Sequence, residues 1–185
     1  RLEAAARVLK HDADEALVAA PLSVTAKRQL PPSGDIHDYL SQAPYFWPNT
    51  SSSDGAPYVR RDGRVNPEAA AIPDAEALDK LEARAGILAL AYFYSGDVRY
   101  SAGAADLLRA WFIDPATAMN PNLTYAQLIP GVTEARPNGV VEGNVLCRIP
   151  DWCALLADSP SWLPADTLAL RDWFSRYGTW LDRSD

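Results

Sequence analysis

The sequence predicts an all-α chain built from helical hairpins and carrying two long polar-aromatic loops. Three observations predict it. Apolar residues recur at helical spacing in several long segments, and no strand-like alternation of useful length occurs. Two stretches too rich in Pro, Gly and Asn for helix separate those segments. At 185 residues, with 48% hydrophobic and 22% charged residues, the chain can build a core as one domain or as part of a larger one.

Residues 2–20 read as the first helix, with Leu2, Ala5, Leu9, Ala13, Ala16, Leu17 and Ala20 on one face and Pro21 beyond its end. His11 falls on the charged side between Lys10 and Asp12 and reads as a solvated surface residue. Residues 24–30 read as a short extended lead into the first loop, Pro31–Pro67. That loop gathers His37, Tyr39, Tyr45, Phe46, Trp47 and Tyr58 beside Asp35, Asp38, Arg60, Arg61 and Arg64. Long irregular segments inside domains are either functional or disordered, and disordered segments lack aromatics. Aromatic faces with polar groups between them suit a sugar ring. The competing reading is a loop laid over helix ends with its aromatics filling grooves.

A second helix is expected over 74–94, with Asp74 as N-cap and Leu78, Leu81, Ala85, Leu88 and Tyr92 on one face. Ser95-Gly96-Asp97 turns into a third helix over 98–113 carrying Tyr100, Ala104, Leu107, Leu108 and Trp111. So short a connection makes the two an αα-hairpin. Most of the aromatics between Tyr92 and Trp111 read as core. The second loop, 114–143, holds Asn120, Asn122, Tyr125, Gln127, Arg136, Asn138 and Glu142. A fourth helix is expected over 144–158, disturbed at Pro150. The last, over 165–182, presents Leu170, Trp173, Phe174, Tyr177, Trp180 and Leu181 as one apolar stripe.

The net charge of −7 disfavours a nucleic-acid partner, which needs a basic face. It leaves room for an acidic polymer bound by a few local arginines. No apolar run reaches the roughly 20 residues that span a bilayer, so no membrane partner is expected. Cys147 and Cys153 read as unpaired: on one helix they would stand about 9 Å apart along its axis, and only a break near Pro150 would let them bridge. Asn49 and Asn122 head glycan-acceptor triplets in loop-like sequence, relevant to a protein secreted by a eukaryote. Asn49 is the better candidate, because the stretch around Asn122 reads as partly covered.

The chain has no glycine-rich phosphate loop, no nucleophile elbow and only two histidines, His11 and His37, so neither a multi-histidine metal site nor a cofactor is expected. His37-Asp38-Tyr39 is the sharpest local cluster. An imidazole and a phenol there would serve as base and acid, or His37 would hold a backbone carbonyl and fix the loop. Arg60, Arg61 and Arg64 around Asp62-Gly63 read as a charged turn, either solvated or facing a cleft, where guanidinium groups suit carboxylates. Arg136 has the same two readings.

Blocks in this order carry a resemblance: SVTAK (Ser23–Lys27), PPSGDIHDYLSQAPYFWP (Pro31–Pro48), APYVRRDGRVNPE (Ala56–Glu68), and Leu88–Val132 with DPATAMNPNLTYAQ within it. The sequence resembles the alginate lyase family of polysaccharide lyases, in its broad form that includes glucuronan-type lyases. The resemblance implies an incomplete α/α toroid, helical hairpins ringing a cleft lined by their loops, of which residues 1–185 are the N-terminal part. It implies β-elimination at a uronate: one group neutralises the C6 carboxylate, a base takes the C5 proton and an acid protonates the leaving O4. The family's neutralising Asn and catalytic His lie in an Asn-Asn-His motif that this sequence lacks. The principal catalytic residues are therefore expected beyond Asp185, on the rest of the domain or on a second chain, and catalytic residues within this chain stay open, Tyr39 and His37 being the possible ones.

The family pattern Gly-Arg-Gly-x-Gly-Ile-Ile-Asp is here Ala135-Arg136-Pro137-Asn138-Gly139-Val140-Val141-Glu142, which keeps the arginine and the acid type. The expected substrate-binding set is His37, Tyr39, Tyr45, Trp47, Arg60, Arg61, Gln127, Arg136 and Glu142, acting on an acidic polysaccharide outside the cell. Two other expectations compete: a non-catalytic carbohydrate-binding remnant, and a glycoside hydrolase on a similar toroid using paired carboxylates.

Overall fold

A computed structural model describes residues 2–132 and 137–184. Its centre is helix α3, Asp74–Ser95, which contacts more of the chain than any other element. Leu78, Leu81, Ala85, Leu88 and Ala89 are buried along it at helical spacing. Gly96 ends it in the left-handed conformation at φ 68°, donating its N–H to the Tyr92 carbonyl. Asp97 then caps α4, Val98–Phe112, by accepting the Arg99 N–H at 3.0 Å. The expected αα-hairpin is present. Tyr100, Ala104, Leu108 and Trp111 of α4 are buried and Tyr92 packs against the same core, so most of these aromatics are core as expected; Phe93 and Tyr94 at the hairpin tip are exposed.

α1, Leu2–Val18, lies across α3 and α4. It buries only Ala13 fully, and Leu2 is 87% exposed, so its apolar stripe is narrower than the sequence suggests. A short α2, Pro67–Ala70, follows the first loop. The expected fourth helix is replaced by a run of 3-10 helix, Pro137–Arg148, leading into α5, Ile149–Leu155. Pro150 stands in the first turn of α5, where its missing N–H costs no intrahelical bond, so it starts the helix rather than disturbing one. α6, Pro164–Leu181, packs on α4. Leu170, Trp173 and Tyr177 of its stripe are buried, and the rings of Phe112, Trp173, Tyr177 and Trp180 follow one another at centroid spacings of 4.8, 5.4 and 5.6 Å. Cys147 and Cys153 are free thiols.

The chain is mostly helical, at 54%, but not free of strands. β1 (Leu40–Gln42) pairs in parallel with β4 (Tyr125–Leu128), and β2 (Phe46–Trp47) pairs antiparallel with β3 (Val59–Arg60). At two to four residues each they are too short to show a period of two in the sequence. They exist because loop backbone lying over a core needs partners for its N–H and C=O groups.

Asp74 is not the N-cap of α3; Pro73 holds that place. The Asp74 side chain is wholly buried, pairs with Lys27 Nζ at 2.9 Å and accepts the Leu40 N–H at 2.9 Å. Lys27 also donates to the carbonyls of Val24 and Ile36. The chain either side of the first loop's start is thereby fastened to the N-terminal end of α3. Burial pushes the Asp74 carboxyl up and the Lys27 amine down, against their mutual attraction.

Candidate functional site

The first and second loops meet along the β1–β4 pair. Register runs from Leu40 opposite Tyr125 to Gln42 opposite Leu128, so β4 carries one residue more than β1 over that span. Within it Gln127 has φ 50°, in the left-handed region that non-glycine residues seldom occupy. A bulge of this kind re-aims side chains and is common beside functional sites. Gly139 lies against it so closely that a Cβ there would come within 2.4 Å of the Ala126 carbonyl oxygen.

Three expected site residues converge at this seam. Glu142 Oε2, on the 3-10 run, accepts the Tyr39 hydroxyl at 2.8 Å and the Ser41 hydroxyl at 2.6 Å. Ser41 Oγ in turn accepts the backbone N–H of Gln127 at 2.7 Å. Tyr39 is 0% exposed, which overturns the expectation that its ring lines a cleft. Burial raises its phenol far above the ordinary range, and the Glu142 charge and hydrogen bond reinforce that. The phenol stays protonated, with its proton committed to Glu142. Tyr39, Ser41 and Glu142 thus tie β1, β4 and the 3-10 run together. Ser41 was not singled out in the sequence; its place between two aromatic-rich motifs gave no polar signal of its own.

A second knot lies one turn earlier. His37 donates through Nδ1 to the Ala118 carbonyl at 2.7 Å, since a carbonyl can only accept. The loop-fixing reading of His37 is the one observed. In the neutral ring this leaves Nε2 as the acceptor. Buried Asp38 accepts Ser33 Oγ, Asn120 Nδ2 and Asn122 Nδ2. Asp35 receives the His37 N–H and Asn120, and the His37 N–H foremost holds its carboxyl below the usual range. The Nδ2 of Asn122 that would carry a glycan donates to Asp38 at 3.1 Å, so a glycan there would stand against the knot. The amide nitrogen of Asn49 has no such partner among the described residues; its Oδ1 accepts the Ser51 N–H.

The remaining expected residues stand on the β2–β3 ribbon. Tyr45 is exposed and Trp47 half-buried, its indole N–H donating to the Arg64 carbonyl at 2.9 Å. The Arg61 guanidinium lies 5.9 Å from the Trp47 ring centroid, presenting a cation beside an aromatic face. Arg60 is paired with Asp62 at 2.6 Å in solvent, as in the plainer reading of that turn. The ribbon follows β1 directly in the chain, and Ala43 N–H donates to the Leu128 carbonyl to join it to the second loop. Arg136 lies outside the described residues. Among the described residues no group of three or more His, Cys, Asp or Glu is arranged to hold a metal ion, and no helix is long and apolar enough to cross a membrane.

The helical scaffold knots the two loops together and leaves Tyr45 and Arg61 exposed and Trp47 half-buried on the ribbon. The Alginate lyase family model matches residues 23–185, and the chain belongs to that family. A solved structure, that of an alginate lyase from Bacteroides ovatus, is similar to it with a TM-score of 0.90 at 37% identity. The similarity covers 96% of this chain and 47% of that one, so this chain spans about half the length of the solved alginate lyase. No curated protein matches the chain closely enough to carry an argument.

Proposed function

We propose that this chain is the N-terminal part of a polysaccharide lyase domain acting on uronate-containing polysaccharide such as alginate or glucuronan, outside the cell. The reaction is β-elimination. The C5 proton passes to a base, the C4–O4 bond breaks with the electron pair leaving on O4, and a C4–C5 double bond remains. In this reading the helices form part of an α/α toroid. The two knotted loops hold the polymer, and the rest of the domain supplies the principal proton-transfer groups.

The observation that carries this division of labour is how the titratable loop residues are already engaged. The Tyr39 proton is held by Glu142 and His37 Nδ1 by the Ala118 carbonyl, while among the described residues of the expected set Tyr45, Arg60 and Arg61 are exposed and Trp47 is half-buried. Stacking faces with cations beside them suit a polyuronate, whose rings are apolar on one face and carry a carboxylate at the edge.

The test is incubation of the full-length protein with alginate and with glucuronan, following ultraviolet absorbance of the unsaturated uronate product. Appearance of the chromophore supports the lyase. New reducing ends without it would make the protein a hydrolase, and binding without any cleavage would make it a carbohydrate-binding remnant.

A further inference from the structure

A hollow of about 390 Å³ lies between the last turns of α6 and residues 121–122 of the second loop, lined by Arg176, Trp180 and Arg183 among others. We propose that it is a subsite for one uronate residue of the polymer, separate from the ribbon that bears Trp47. The proposal rests on the lyase reading for the nature of the ligand.

The helix itself assembles the hollow's chemistry. Arg176 and Trp180, four residues apart, share one face of α6, and Arg183 follows in the turn just past its end. Among the described residues none that lines it is acidic. The Trp180 ring is stacked on Tyr177 at a centroid distance of 5.6 Å and an interplanar angle of 28°, and Tyr177 is stacked on buried Trp173. The stack on Tyr177 restrains the half-buried indole before a ligand arrives, which lowers the side-chain entropy lost at binding. Arg176 spends Nε on Asp172 at 2.9 Å, leaving its outer nitrogens for a ligand. The Arg183 guanidinium is exposed and pairs with no acid among the described residues.

The far wall belongs to the site already described. Asn122, which lines the hollow, donates to Asp38 at 3.1 Å in the knot beside His37. A polymer held at the loop seam therefore has a neighbouring place for a further residue. The volume is within the range of about 300–1,000 Å³ usual for small-ligand sites. An aromatic platform with two guanidinium groups beside it selects a ring that is apolar on one face and anionic at its edge, as a uronate is.

The experiment measures binding of saturated alginate oligosaccharides to the full-length protein by calorimetry, with steady-state kinetics alongside. Arg183→Gln and Arg176→Gln change exposed side chains and leave the core intact. Each is expected to raise Kd for the oligouronate about tenfold, the loss of one charge-assisted contact. Neither is expected to change Kd for a neutral oligosaccharide. Trp180→Phe keeps a ring on Tyr177 and is expected to weaken binding of both. If the wild-type protein forms unsaturated product and the two arginine variants match it in Kd and KM, the subsite is wrong and the lyase reading stands. If the arginine variants weaken oligouronate binding while no unsaturated product forms, the subsite stands and the lyase reading falls. A wild-type protein that binds no oligouronate overturns both.

Discussion

At the residue scale, two buried groups decide how the first loop is held. Lys27 and Asp74 sit with side chains at 0% exposure, so each charge depends on the other for its stability. Lys27→Met leaves the Asp74 carboxylate buried and unpaired and is expected to cost about 3–5 kcal/mol in denaturant unfolding. Lys27→Met with Asp74→Asn removes both charges and keeps an oxygen for the Leu40 N–H, so it is expected to recover much of that loss. A double variant as unstable as the single one would show that the charges are not what matters there. Tyr39 poses the same kind of question. Tyr39→Phe keeps the buried ring and removes one hydrogen bond to a carboxylate, which is expected to cost about 1.5–3 kcal/mol while turnover of the full protein changes little. Turnover abolished with binding intact would instead make the phenol a catalytic acid.

At the element scale, helix contacts reverse an ordinary rule. Replacing Gly by Ala inside a helix usually stabilises by about 1 kcal/mol. At Gly86 in α3 an added Cβ would stand 2.9 Å from the Trp152 ring of α5, whose indole N–H donates to Glu82 at 3.0 Å and so cannot retreat freely. Gly86→Ala is therefore expected to destabilise by about 1–3 kcal/mol, read as a shift in thermal midpoint. The α4–α6 contact carries a pH dependence. Arg109 of α4 binds Asp166 in the first turn of α6 and holds its carboxyl below its ordinary value of 3.8. A carboxyl with a depressed folded-state pKa contributes stability that is complete above the unfolded value and is lost as pH falls through the folded one. Asp166→Asn is expected to remove about 1 kcal/mol at neutral pH and to flatten the acid side of the stability profile. An unchanged acid limb would sink this assignment. The helices themselves were legible because Leu78 to Leu88 and Leu170 to Tyr177 repeat at helical spacing over several turns. The strands were not, because Phe46–Trp47 and Val59–Arg60 are shorter than any period that could announce them.

At the scale of the whole molecule, the sequence singled out the two loops of the candidate site but not which of their side chains turn inward. Aromatics and arginines concentrate in the first loop whatever their orientation, so composition pointed to it. Whether a ring faces the core or solvent depends on tertiary partners: Tyr39 and Tyr45 look alike in sequence, yet a carboxylate 103 residues away draws the first inward. The pairing of β1 with β4 lay beyond sequence reach for the same reason. With Tyr39 inside, the proposed function leaves substrate binding to the ribbon, and that proposal makes a kinetic prediction. In that proposal Trp47 supplies a face and Arg61 a cation beside it, and proton transfer falls to the rest of the domain. Their contribution should be the same in ground state and transition state, and removing uniform binding raises KM with kcat unchanged. Arg61→Ala is expected to raise KM for a polyuronate about two- to fivefold, the worth of an exposed cation beside an aromatic ring. Trp47→Ala should raise it further, since it removes both the face and the support for Arg61. A fall in kcat with KM unchanged would place these residues in the chemistry, and no change in either constant would remove the ribbon from the site.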